Sequence, residues 1–374
     1  MDNYGMDASY GAQAEMKQQT MQTEDPVLIK RKVRNSYGKA CFAMILQLLI
    51  ILAVSIVIAS VANAMYTTQL MRETPGLQQA ELMQKTQEHA KELAQNSLYL
   101  NTLNGVGYLI GNLAAVLISL AALKAFKMKE LVSKPRKVQL IGLGIFGILG
   151  LQSVSLLIQG LITNITGMTG MNEQISSMMG FSEDMIANVV IFVYFVIVAP
   201  VTEELLCRGF VLNALAPVDR RFALIASSVM FGIMHGNFNQ MFNGALLGLV
   251  LGYLALKSGS VIPAIAAHML NNFAAVMVGP AITAIAGENA DTVTGIWYVL
   301  MLVAGLAALI VFVLKNKWID NDADRMVEYD IAVPEGSKGE YTWKALLTRP
   351  TFWIFVVIYV IYAISMVSSV GGAQ

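Results

Sequence analysis

Two adjacent carboxylates, Glu203 and Glu204, lie in the run Ala199-Pro200-Val201-Thr202-Glu203-Glu204-Leu205-Leu206-Cys207-Arg208-Gly209, which is otherwise mostly apolar. A charged side chain at the centre of a membrane helix costs about 2.5–3.5 kcal/mol on insertion scales, so ionisable residues there are candidates for function. Glu204 and Arg208 are one helical turn apart and can pair, which lowers the cost of both. Glu203 lies about 100° round the helix from Glu204 and is free to face something else. Two more apolar runs carry polar residues, Phe231-Gly232-Ile233-Met234-His235 and His268-Met269-Leu270-Asn271-Asn272. The third histidine, His89, lies among Gln, Glu and Lys and reads as solvated. Each residue alone has a bland reading: a packing histidine, a structural Glu–Arg pair, an Asn bridging helices, Cys207 as a small hydrophobe. Glu203, His235, His268 and Asn272 on three neighbouring apolar runs are harder to dismiss together.

A carboxylate, two imidazoles and an amide can activate water and stabilise an oxyanion. Glu203 would be the general base and His235 would orient the water. His268 and Asn272 would donate to the carbonyl oxygen as it becomes tetrahedral. The same groups could instead hold Zn²⁺, with His235 and His268 as nitrogen ligands, a carboxylate such as Glu203 as the third and water as the fourth. Spacing does not separate these schemes. It does set aside other intramembrane hydrolases. The chain has no His-Glu-x-x-His motif and no Asp within its apolar runs, and Gly259-Ser260 follows Lys257 at a loop.

The elements that must position these residues are membrane helices. Of 374 residues, 56% are hydrophobic and 13% charged, about half the ~25% charged residues of a soluble domain. With a mean hydropathy of +0.59, that excludes a disordered protein, a nucleic-acid binder and an ordinary soluble enzyme. The expected fold is an all-α polytopic membrane protein. Candidate spans are 41–64, 104–123, 138–162, 186–207, 222–239, 241–256, 261–279, 296–314 and 351–370. The 25 basic and 25 acidic residues cancel, and Cys41 and Cys207 make no disulfide framework.

Basic residues cluster before the first span (Lys30, Arg31, Lys32, Arg34, Lys39), between the second and third, after the fourth (Arg208, Arg220, Arg221), and at Lys257, Lys315 and Lys317. Residues 164–185 and 280–295 contain no Lys or Arg. By the positive-inside rule the N-terminus is cytoplasmic and the C-terminus outside. The expected organisation is a disordered cytoplasmic tail over 1–38 and a polytopic helical domain over 39–314, with the polar motifs at 199–272. A charged cytoplasmic segment over 315–349 and a C-terminal transmembrane helix over 350–374 follow. Residues 66–103 read as an outer loop with one amphipathic helix.

Glu203-Glu204-x-x-x-Arg208, Phe231-x-x-x-His235 and His268-x-x-x-Asn272, each in an apolar run and in that order, resemble the three motifs of the CPBP family. This is the CAAX protease and bacteriocin-processing (Abi) group of intramembrane endopeptidases. The resemblance covers about residues 190–280 and implies a fold of about eight membrane helices, to which the ninth span is an addition. It implies hydrolysis of a peptide bond, in a peptide or membrane-protein substrate at the bilayer of a prokaryotic plasma membrane, with no nucleic-acid partner. Carried over by motif position, Glu203, His235, His268 and Asn272 are catalytic, and Glu204, Arg208 and Phe231 support them. The family pattern fits a glutamate protease that strictly requires no cofactor, or a metalloprotease with Zn²⁺ on Glu203, His235 and His268. Two other functions fit a polar cluster in a membrane bundle: a silent adaptor or bacteriocin self-immunity protein that binds a peptide without cutting it, and a transporter. The intact polar set favours the enzyme, and the absence of matching broken helices in two halves disfavours the transporter.

Overall fold

The computed structural model describes residues 25–123, 127–137, 140–166, 185–236, 238–315, 318–334 and 336–371. Among them there are helices and no strands. Five helical stretches are long and apolar enough to cross a membrane, and two shorter apolar helices accompany them. The chain is an all-α, multi-pass membrane protein.

Helix α1 (Pro26–Glu73) is 48 residues long, roughly 70 Å at 1.5 Å per residue and more than twice the ~30 Å hydrocarbon core. Its start corrects the disordered tail expected over 1–38: residues 26–38 are helical, while 1–24 lie outside the described residues. Asp25 caps the helix by accepting from the Val27 N–H at 2.9 Å, and Pro26 occupies its first position. Ile29, Val33, Tyr37, Ala40, Met44 and Leu48, spaced three or four apart, form its buried stripe. The far end runs past the expected boundary to Glu73 and meets α2 (Gln79–Leu93), the amphipathic helix expected in the outer loop. There His89 is stacked on Tyr66, with ring centroids 3.8 Å apart, rather than freely solvated.

Helix α3 (Ser97–Leu123), the short turn α4 (Met128–Leu131) and α5 (Leu140–Thr166) follow. Residues 167–184, most of the expected outer connection 164–185, lie outside the described residues. Then come α6 (Met185–Leu215), α7 (Arg220–Ile233), α8 (Phe238–Ser258), α9 (Ile262–Ala286) and α10 (Ala290–Lys315). The span expected over 222–239 is corrected. Helix α7 has 14 residues, about 21 Å, too short to cross a bilayer. It stops before Gly236, whose φ of +59° takes the chain out of the helical region. Ten of its residues are buried, so its non-helical end is enclosed by protein rather than lipid.

The charged segment expected over 315–349 is docked on the bundle. Asp324 pairs with Lys257 at 2.5 Å and with Lys137 at 3.7 Å, and Asp330 pairs with Arg220 at 2.6 Å. Arg221 Nε donates to the Ile319 carbonyl, and the Ile331 N–H donates to that of Pro217. Basic residues from three separate connections thus converge on one acidic segment at one end of the bundle. After a short helix α11 (Trp343–Leu347), α12 (Pro350–Gly371) returns into the core. The Tyr359 hydroxyl, on α12, is 2.6 Å from Gln47 Oε1 and 3.0 Å from the Met44 carbonyl of α1.

Candidate active site

Helix α6 is not uniform. It widens into π-helix at Val193–Val198 and again at Leu205–Val211, with a regular turn, Ala199–Glu204, between them. The first π segment has a local cause. Ala199 N–H reaches back five residues to the Tyr194 carbonyl, and the next donor in that register would be Pro200, which has no N–H. The Phe195 carbonyl therefore lacks a partner on its own helix, and Asn272 Nδ2 of α9 supplies one at 2.8 Å. In the second segment Asn213 Nδ2 donates to the Arg208 carbonyl at 3.0 Å and the Gly209 carbonyl at 2.9 Å. Side-chain amides complete the backbone pairing where the helix is loosened. π turns of this kind recur at functional sites.

The regular turn between the π segments carries both carboxylates. Glu204 is fully buried and accepts on one oxygen, Oε1, from Arg208 Nη1 at 2.8 Å and from His268 Nδ1 at 2.9 Å. The expected Glu204–Arg208 pair is present. The His268 bond was not foreseen: its Nδ1 belongs to Glu204. Glu204 Oε2 and Arg208 Nη2 are buried without a hydrogen-bond partner. Glu203 is 7% exposed and has no hydrogen-bond partner among the described residues. His235 and His268 are within electrostatic reach of its carboxylate.

Phe231 stands at the centre of the group. Its fully buried ring lies edge-on to His235 at 5.0 Å and to His268 at 5.9 Å, with the Arg208 guanidinium 4.0 Å from its centroid. A guanidinium this close over a ring gains about 0.5–2 kcal/mol. His235 Nδ1 is 2.8 Å from the Phe231 carbonyl. A carbonyl only accepts, so Nδ1 carries the proton, and in the neutral ring Nε2 is left with its lone pair. His268 Nδ1 faces Glu204 Oε1, which Arg208 also contacts, and donates to it in the same way. Helix α8 comes close behind this wall because it presents glycines. A Cβ on Gly244 would stand 3.1 Å from His235 Nδ1, and one on Gly248 would stand 3.2 Å from Arg208 Nη2.

The structure thus joins Glu204 and Arg208 of α6, Phe231 of α7, His235 in the turn just after it and His268 of α9 through direct contacts, with Glu203 next to Glu204 and Asn272 one turn beyond His268. Among the described residues no three His, Cys, Asp or Glu side chains are grouped to hold a metal ion. His235 and His268 are each held through Nδ1, by the Phe231 carbonyl and by Glu204, which leaves Nε2 of both rings free. Cys207 is buried with its sulfur 3.5 Å from that of Met234, a packing role.

Sequence reasoning missed the aromatic surround. Tyr108 of α3 and Tyr194 of α6 have ring centroids 6.0 Å apart and lie within electrostatic reach of Glu203. Tyr362 of α12 lies across Gly236, where a Cβ would collide with its ring, one residue beyond His235. Tyrosine in an apolar run is too common to signal this.

No curated protein and no solved structure matches the chain significantly. A family model does match part of it, that of "Rce1-like: Type II CAAX prenyl endopeptidase Rce1-like", over residues 185–274. That range begins at the first residue of α6 and ends in α9 two residues past Asn272, so it takes in every residue of the three motifs. Residues 185–274 are thus similar to the Rce1-like family, consistent with a CPBP-family intramembrane protease, within a longer all-α membrane protein.

Proposed function

We propose that this protein is an intramembrane endopeptidase that hydrolyses a peptide bond with water activated by Glu203. The observation that carries this reading is a buried carboxylate without a hydrogen-bond partner, within electrostatic reach of two histidines, beside a second carboxylate that is fully engaged. Water bound to Glu203 gives it a proton as its oxygen attacks the scissile carbonyl carbon. His235 Nε2, left with its lone pair, accepts the other water proton as a hydrogen bond and orients the nucleophile. The oxyanion meets the second N–H of Asn272, the first being held by Phe195. His268 donates from Nε2 only as the imidazolium, with Glu204 as its counter-charge. Glu203 then passes its proton to the leaving amine, and the C–N bond breaks. Removal of one oxyanion donor typically costs about 10²–10³ in rate. No step in this reading is routed through a metal.

The substrate in this reading is a peptide or membrane protein that enters from the bilayer, and no nucleic acid is involved. Cells carrying wild-type protein and cells carrying Glu203→Gln would be compared for their membrane-associated peptides. The wild type is expected to accumulate products that the variant lacks, and identical peptide profiles would contradict the activity. The convergence of Arg136, Lys137, Arg220, Arg221 and Lys257 near the 319–330 segment supports a cytoplasmic location for that end, in the plasma membrane of a prokaryote. A reporter fused after Lys317 should then be cytoplasmic and one fused after Glu288 external. The reverse pattern would invert the map.

A further inference from the structure

Away from the polar cluster, an open recess of about 260 Å³ lies at the basic end of the bundle. It is lined by Val27, Lys30, Arg31, Arg34 and Asn35 of the first turns of α1, and by Arg349 immediately before α12. Four cationic side chains therefore face one volume. The charge that answers them is slight. Lys30 is 3.7 Å from Glu340, which is also 3.8 Å from Lys344. Arg34 Nη2 makes only a long bond, 3.4 Å, to the Thr348 carbonyl. Arg31 has no ion pair or hydrogen bond through its side chain among the described residues. Arg349 Nε is buried without a hydrogen-bond partner.

Arg349 is held in this position. Its guanidinium lies across Gly38 of α1, where any Cβ would collide with it. Burial first, and then the charge of Arg34, hold its guanidinium below the ordinary value. Guanidinium groups that face one recess with few acceptors call for an anion, and their forked donors match phosphate oxygens. The recess volume is several times the ~30 Å³ share of one water molecule.

Its depth indicates where such an anion comes from. Arg349 is the residue before the apolar α12, whose Trp353 is exposed and donates its indole N–H to the Leu347 carbonyl at 2.8 Å. Trp343, six residues before Arg349, is also exposed, with its ring edge-on to Phe222 at 4.9 Å. Exposed Trp at a helix entry marks headgroup level in a bilayer. On α1 Val27 and Leu28 are exposed at the helix start, and past the basic residues the exposed apolar surface resumes at Phe42, Leu49 and Leu52. The recess thus lies where lipid-facing surface gives way to charged surface.

We propose that Lys30, Arg31, Arg34 and Arg349 form a binding site for a phosphate-bearing anion, supplied by an anionic lipid headgroup at the basic end of the bundle. Basic pockets of this kind between membrane helices recognise lipid phosphates through charge-assisted bonds. The site would also tie α1 to α12, two helices that lie outside the Rce1-like segment.

The test uses the full chain purified in mild detergent, with its melting temperature followed during titration with phosphatidylglycerol, phosphatidylcholine or inorganic phosphate at matched ionic strength. Phosphatidylglycerol is expected to raise the melting temperature by several degrees while phosphatidylcholine does not. If millimolar inorganic phosphate gives the whole shift and phosphatidylglycerol adds nothing, the site is a phosphate site and the lipid source is wrong. The double variant Arg34→Gln/Arg349→Gln should lose the shift. Should that variant fail to fold, Arg31→Gln, on an exposed side chain, should weaken the phosphatidylglycerol response several-fold. Equal shifts with both lipids, or an unchanged response in the variant that folds, would overturn the proposal.

Discussion

The helix pair α5/α10 and the α6–α9 group both bury a helix interface, by opposite means. Between Leu140 and Thr166 of α5, and between Thr292 and Leu314 of α10, there is no charged residue. The two helices meet at Gly150 and Gly305, so close that a Cβ on either would strike the other's backbone. The outward face of α10 is a row of exposed apolar residues, Val299, Leu300, Val303, Leu306 and Ile310. Dispersion and small-residue packing hold this pair, as is usual where lipid supplies no hydrophobic driving force between helices. The α6–α9 group instead buries Glu203, Glu204, Arg208 and His268, and loosens its main helix into π turns. A buried ion pair is weak evidence for stability, because desolvation offsets most of its attraction. The cost falls where the chemistry is proposed, and the apolar pair serves as framework.

If that contrast is right, the largest stability effect comes from unbalancing the charged group. Glu204→Gln leaves Arg208 without a carboxylate and His268 without its charged acceptor. A loss of about 3–5 kcal/mol is expected from breaking a buried pair at one partner, read as a lower melting temperature together with lost cleavage. A variant as stable as wild type would show that the pair is not held in a low-dielectric setting. The framework is tested next. Gly305→Val places a side chain against the Gly150 backbone, where overpacking costs about 1–3 kcal/mol. Stability should fall, while the cleavage rate of the folded fraction stays near that of wild type; a specific loss of rate would mean that α10 also shapes the site. The smallest effect is on stability in Asn272→Ala. It strips the Phe195 carbonyl of its partner, a loss of about 1–2 kcal/mol for an unpaired buried acceptor. It should also slow turnover more than that stability loss explains. If stability falls with turnover unchanged, Asn272 is a helix bridge and no oxyanion donor.

The motif residues were legible because an ionisable group in an apolar run is conspicuous whatever the fold. The Glu204–Arg208 pair followed from helix spacing alone, since four residues still bring the two side chains together across the start of the second π segment. The partner of His268 was not legible. Regular 100° geometry separates Glu203 from Glu204, but it says nothing about which of them α9 faces. Pro200 was a visible cue that one backbone donor is missing, and only the structure shows that Asn272 answers for it. The length of α7 was misjudged because the apolar run continues through Ile233 and Met234, whereas Gly236 ends the helix by conformation rather than polarity. The docking of 318–334 was hidden as well. Its acidic residues read as a solvated segment until Lys257, Lys137 and Arg220 are seen to meet them.

The central claim is a division of labour between two adjacent, chemically identical side chains, and one paired measurement tests it most directly. Purified Glu203→Gln and Glu204→Gln would be compared with wild type for melting temperature and for cleavage of a peptide found in the cellular comparison. Glu203→Gln keeps the shape of the side chain and removes the base, so its melting temperature should stay within about 1 °C of wild type, under about 1 kcal/mol for a chain of this size, while cleavage is abolished. Glu204→Gln should lose both. Turnover by Glu203→Gln comparable to wild type would contradict the account.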